Sequence, residues 1–170
     1  MTAGNGEFRS FAATRLDALY RSAVLLTGQH QSAEDLVQET LTRMYVVWRS
    51  RPLEDPVAYS RRTLVNTFIS SRRRRSSSEY PQEVLPEVVA PAPDVDGRVD
   101  VHRALGELRP IDRAIVVLRY LEDIPVDEVA ATLRMSPGNV RVRATRALAT
   151  LRTSLPLQSA ASTTREDTHE

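Results

Sequence analysis

The stretch that decides the fold runs Val126-Asp127-Glu128-Val129-Ala130-Ala131-Thr132-Leu133, then Arg134-Met135-Ser136, then Pro137-Gly138-Asn139-Val140-Arg141-Val142-Arg143-Ala144-Thr145-Arg146-Ala147-Leu148. The first run is a helix of about two turns, the second a tight turn, and the third the start of a longer helix reaching Arg152. Ser136 is placed to cap the longer helix and Pro137 to occupy its first position, where the missing N–H costs nothing. Ala130 is small where the two helices must approach. A short helix, a three-residue turn and a longer helix form a helix-turn-helix.

At 100° per residue, Val140, Ala144, Ala147, Leu148 and Leu151 make the buried side of the longer helix. Val142 and Ala149 point most directly away, with Gly138, Thr145 and Arg146 close by, and Arg141 and Arg143 flanking. Arg pairs bidentately with guanine, and Val and Thr methyls fit the thymine methyl, so this face suits a major groove.

Working back from this motif, Val101, Ala104, Leu105 and Leu108 predict a short helix ending before Pro110. A second helix is expected from Pro110 through Ile111, Ala114, Ile115, Leu118 and Leu121. Residues 98–155 therefore read as a four-helix domain. It carries 10 Arg against 7 acids, a balance of +3.

Residues 76–97 differ sharply. They hold five acids (Glu79, Glu83, Glu87, Asp94, Asp96), no Arg and four of the chain's ten prolines. Pro81, Pro86, Pro91 and Pro93 exclude a helix, so the segment reads as an extended acidic linker. It would span at most ~75 Å when stretched. Its charge predicts self-masking of the basic surfaces it joins.

Residues 8–75 form a second basic region, with 12 Arg and 7 acids across positions 1–75. Phe8, Phe11, Leu16, Leu19, Ala23 and Leu26 predict one buried helix face, stopped by Gly28. Ser32 followed by Glu34 and Asp35 predicts a new helix start, with Leu36, Val37, Leu41, Met44, Val47 and Trp48 as its apolar stripe. Asp55-Pro56 opens a third helix in which Val57, Leu64, Val65, Phe68 and Ile69 face inward. Arg62, Asn66, Ser70 and Arg73 share its outer face, and the helix runs into Arg72-Arg73-Arg74-Arg75. An arginine face reaching up to Arg61 and Arg62, with an amide among them, fits a phosphate-tracking surface.

Composition removes whole classes of chemistry. The chain has no cysteine, hence no disulfide, thiolate metal site or thiol nucleophile. All 23 basic residues are Arg, which excludes a P-loop and a Schiff-base lysine. His30, His102 and His169 are isolated, and the adjacent acid pairs fall at predicted helix edges. Neither catalysis nor a metal, cofactor or small-molecule substrate is expected. The longest aliphatic run, Ala114 to Leu118, is far short of the ~20 residues that span a bilayer. No membrane insertion is expected, and a cytoplasmic location is. The polar tail, 156–170, is expected to be disordered.

Three stretches in this order resemble the extracytoplasmic-function group of bacterial RNA polymerase sigma factors, in its actinobacterial SigE-like branch. They are Ala33-Glu34-Asp35-Leu36-Val37-Gln38-Glu39-Thr40, Tyr59-Ser60-Arg61-Arg62-Thr63-Leu64-Val65-Asn66-Thr67, and Val126 to Leu151. The resemblance implies an all-α chain of two small helical domains joined by the linker: a sigma-2-like domain of three to four helices over 8–75 and a sigma-4-like helix-turn-helix domain over 98–155. It implies that Asp35, Leu36, Gln38 and Glu39 bind core RNA polymerase. Tyr59, Arg61, Arg62, Asn66 and Arg73 would contact the −10 element, and Asn139, Arg141, Val142, Arg143, Thr145 and Arg146 the −35 element. Core polymerase, promoter DNA and an anti-sigma factor are the implied partners. The competing reading from the residues alone is a stand-alone helix-turn-helix regulator, which leaves residues 8–75 without a task.

Overall fold

The computed structural model describes residues 3–77 and 96–155, all of whose regular elements are helical. The expected linker lies outside the described residues except at its two ends, where helix extends over 76–77 and from 96. The tail lies outside them except for its neighbour Leu155.

The first region holds α1 (Ala3–Thr27), α2 (His30–Ser50) and α3 (Pro56–Ser77). Gly28 ends α1 with φ +76°, a left-handed conformation that favours glycine, while its N–H still reaches Val24 O at 2.8 Å. On α2, Ala33, Leu36, Val37, Thr40 and Met44 are buried at helical spacing, and Thr40 satisfies its hydroxyl on Leu36 O. Asp55 opens α3 as the sequence predicts: its Oδ1 accepts from Ala58 N at 2.9 Å, and Pro56 takes the first helical position. Phe8 and Phe11 of α1 meet Tyr45 and Trp48 of α2 through tilted and edge-on rings 5.2 to 5.5 Å apart.

Three expectations fail here. The second helix begins at His30, with Gln29 rather than Ser32 at the N-cap position and no side-chain cap, so Glu34 and Asp35 lie beyond its first turn. Ser32 instead donates to the Gln29 side chain. Leu16 and Val57 lie outside the core, exposed by 45% and 37%.

The second region holds α4 (Asp96–Glu107), α5 (Pro110–Val116), a π-helical turn (Val117–Leu121), α6 (Val126–Leu133) and α7 (Pro137–Ser154). The helix expected to run uniformly from Pro110 to Leu121 widens at Val117: Glu122 N bonds Val117 O, five residues back, at 3.0 Å. This rotates the end of the helix, leaving Tyr120 and Leu121 about half exposed. Asp123, at φ 52°, then turns the chain into α6. Arg134 adopts the left-handed conformation between α6 and α7, and Met135 N bonds Ala130 O at 3.0 Å. Ser136 Oγ accepts from Asn139 N, so the helix-turn-helix is built as the sequence predicts.

The two regions are packed on each other. One apolar cluster runs from Leu19, Leu26, Leu36, Leu64 and Phe68 into Ile115, Val117, Leu118, Val129 and Val140. Arg113 of α5 lies at this seam, 7% exposed. It donates to Leu26 O at 2.7 Å across the seam and to Gly106 O at 2.7 Å within its own region, with its guanidinium 6.0 Å from the Phe68 ring. Leu26 is in the last turn of α1, whose carbonyls lack helical partners, so a cation is favoured there. Burial, with a smaller contribution from nearby Arg72, lowers the Arg113 pKa to about 10. The group therefore stays charged at neutral pH.

Candidate nucleic-acid interface

The longer helix of the helix-turn-helix, α7, is held from behind by Val140, Ala144 and Ala147, each buried. Asn139, Arg141, Thr145 and Arg146 are exposed, and Val142 is half exposed. Thr145 donates its hydroxyl hydrogen to Arg141 O, leaving its methyl and its oxygen lone pairs outward. The resulting face is cationic along its flanks and small and apolar at its centre. It can place guanidinium forks and methyl groups against base edges.

Arg143 does not join that face. Its Nη2 lies 2.9 Å from Asp112 Oδ1 and only 21% of its side chain is exposed. Asp112 also holds Arg109 Nε at 2.8 Å. Arg143 thus ties α7 to α5, and its charge is neutralised inside the domain. The helical angle places Arg143 beside the outward face; the carboxylate on α5 turns it inward.

The second cationic surface lies on α3. Arg62, Ser70 and Arg73 are exposed, with Asn66 and Tyr59 half-buried between and beside them. Arg61 is oriented differently. Its Nε meets Glu122 Oε2 at 3.2 Å and its Nη1 meets Glu128 Oε2 at 3.8 Å, and its side chain is 16% exposed. Both acids belong to the second region. Arg72 reaches Thr27 O at the end of α1 and lies over the Phe68 ring. Arg61 and Arg72 of α3 therefore serve contacts within the molecule, whereas Arg62 is exposed.

A third surface runs along α2, where Asp35, Gln38, Glu39, Thr42 and Arg43 line one shallow depression. Arg43 pairs with Glu39 one turn away. Leu36 is 6% exposed and belongs to the core, so its place in the motif is explained by packing. The sequence reasoning missed Arg113 and Asp112. The available signal was two charged residues inside the otherwise apolar run from Ile111 to Leu118.

Residues 5–78 match the family model Sigma-70 region 2 and residues 98–151 match Sigma-70, region 4. The RNA polymerase sigma-E factor of Streptomyces coelicolor is 40% identical over 156 residues, covering 88% of this chain and 86% of its own. The chain belongs to the extracytoplasmic-function RNA polymerase sigma factors. A sigma factor named SigE from Mycolicibacterium smegmatis is 37% identical over 141 residues, 75% of this chain and 53% of the longer relative. Among solved structures, the sigma factor RpoE from Bartonella quintana, in complex with the anti-sigma factor NepR, superposes with a TM-score of 0.74 at 27% identity. That match covers 89% of this chain and 98% of RpoE. The two matched regions of the sigma factor are the two helical regions described above, with α7 in region 4 and α2 and α3 in region 2. Among its described residues, no helix is long and apolar enough to cross a membrane, and no three His, Cys, Asp or Glu gather as metal ligands.

Proposed function

We propose that this sigma factor binds core RNA polymerase and directs initiation at promoters, reading the upstream element with α7 and the downstream element with α3. Arg141 and Arg146 are the base-reading or phosphate-holding cations of α7, with Asn139, Val142 and Thr145 between them, and Arg143 is a brace behind them. On α3, Arg62, Asn66 and Arg73 meet the −10 element, with Tyr59 beside them and Arg61 added once it leaves its carboxylates. Asp35, Gln38 and Glu39, on the exposed side of α2, meet the polymerase. The chain works as a specificity subunit without catalysis of its own, in the cytoplasm with the polymerase. The complex of its Bartonella relative with NepR supports an anti-sigma partner here as well.

The observation that carries this reading is α7, a capped helix whose inner face is fixed by the core and whose outer face carries a cation–methyl–cation pattern. Run-off transcription with core polymerase tests it. The full chain is expected to support initiation that requires both regions. Asp35→Arg should eliminate copurification with core polymerase and leave thermal unfolding unchanged, because Asp35 is exposed. A stand-alone regulator would instead bind DNA without polymerase and give no run-off product.

A further inference from the structure

The second region engages the guanidinium of Arg61 at two of its three nitrogens, Nε and Nη1. Glu122 and Glu128 together offer what a nucleic-acid backbone offers: anionic oxygens spaced along a line, here set at 3.2 and 3.8 Å from Nε and Nη1. The placement depends on local backbone geometry. Glu122 follows the π-helical turn, whose i−5 bond to Val117 O swings it toward α3, and Glu128 is in the first turn of α6. A regular α-turn at Val117 would carry Glu122 to another angle around the axis. Arg61, 16% exposed, would be left with an uncompensated, largely desolvated charge without these acids. A phosphate that takes up Nε and Nη1 must displace these carboxylates.

We propose that Glu122 and Glu128 are an internal phosphate mimic that latches the two regions closed and withholds Arg61 from nucleic acid until the regions separate. The latch is the polar rim of the seam whose centre is Arg113 on Leu26 O and Phe68. Seam closure and nucleic-acid binding therefore compete for one side chain. Raising salt weakens the largely buried Arg61–Glu122 pair less than it weakens an exposed one, so the closed form persists at moderate ionic strength. The inference rests on the promoter-binding reading for Arg61's second role, but closure itself can be measured without DNA.

The chain has no cysteine, so two labels can be introduced cleanly at exposed positions of α1 and α7, with Ala13→Cys and Thr150→Cys. Inter-label distances by pulsed electron paramagnetic resonance would be compared for the otherwise wild-type chain, for Glu122→Gln with Glu128→Gln, and for Asp123→Asn with Asp127→Asn. The last variant removes the same charge from neighbouring acids that do not touch Arg61. Fluorescence anisotropy would then give the affinity of each full-length chain for a mixed-sequence duplex of about 30 base pairs, whose phosphates are the probe. The glutamine pair is expected to populate a longer distance and to bind about three- to tenfold more tightly, with less than a twofold gain for the asparagine pair. Unchanged distances in the glutamine pair would overturn the latch. Longer distances with an affinity gain no greater than that of the asparagine pair would overturn the mimicry. A wild-type chain that supports no run-off transcription with core polymerase would strike the promoter reading, while the distance measurement would still decide the latch.

Discussion

Two helices of this molecule carry arginines at similar spacing and present them in opposite ways. On α7, Arg141 and Arg146 stand outward because three small or branched residues, Val140, Ala144 and Ala147, hold the helix by one narrow stripe. On α3 the buried set is broader: Ser60, Leu64, Val65, Thr67 and Phe68 are all buried, and neighbours grip the helix from two sides. The arginines at the border of that set, Arg61 and Arg72, are drawn into contacts with Glu122, Glu128 and Thr27 O. The lesson is that an arginine's position around a helix sets its direction, whereas its neighbours decide whether its charge is available. Arg143 shows the same rule on α7, where a single carboxylate from α5 claims it.

The contrast can be broken most forcefully at the seam. Phe68 is 1% exposed and lies where α3 meets both regions; Phe68→Ala is expected to cost about 3–5 kcal/mol in urea unfolding. A cost below 1 kcal/mol would mean that the seam does not share one core. Arg113→Ala follows at about 2–3 kcal/mol, because two carbonyls lose a charged donor, whereas Arg62→Ala on the outer face should stay within about 0.5 kcal/mol. Arg113→Lys should recover little, since one ammonium cannot reproduce the guanidinium fork that joins Leu26 O and Gly106 O.

On α7 the comparison sharpens into a double dissociation. Arg146→Ala is expected to cost about 1–3 kcal/mol in promoter affinity with no change in thermal unfolding. Arg143→Ala should do the reverse, lowering stability by about 1–2 kcal/mol by leaving Asp112 Oδ1 without its cation while sparing base preference. Loss of sequence discrimination in Arg143→Ala at unchanged melting would return that residue to the DNA face. A modest effect is expected at the cap: Ser136→Ala should cost about 1 kcal/mol, visible as a lower midpoint in chemical unfolding.

Much of the candidate site was legible beforehand because it depends on local chemistry. The caps at Asp55 and Ser136, the stop at Gly28, and the outward placement of Val142, Thr145 and Arg146 follow from interactions within a few residues. Leu16, Val57 and Arg143 were misplaced, since a helical wheel gives an angle but not the element that crosses there. The π-helical turn was invisible because the apolar spacing from Ile115 to Leu121 is the same in either helix type. Contacts just beyond the run hold it: Ile124 N bonds Leu118 O at 2.9 Å and Arg119 reaches Ile124 O, which together draw the chain round before α6.

The amino-acid order by itself determined that the chain is helical, where most of its helices begin and end, and that a capped basic helix follows a tight turn. Those properties arise from backbone hydrogen bonding and side chains within one or two turns. Tertiary structure alone decided that the two regions share a core, that Arg113 fills its seam, and that Arg61 rests on Glu122 and Glu128. Those contacts join residues 45 to 87 positions apart, and nothing in short-range spacing encodes which distant carboxylate or carbonyl a guanidinium will find.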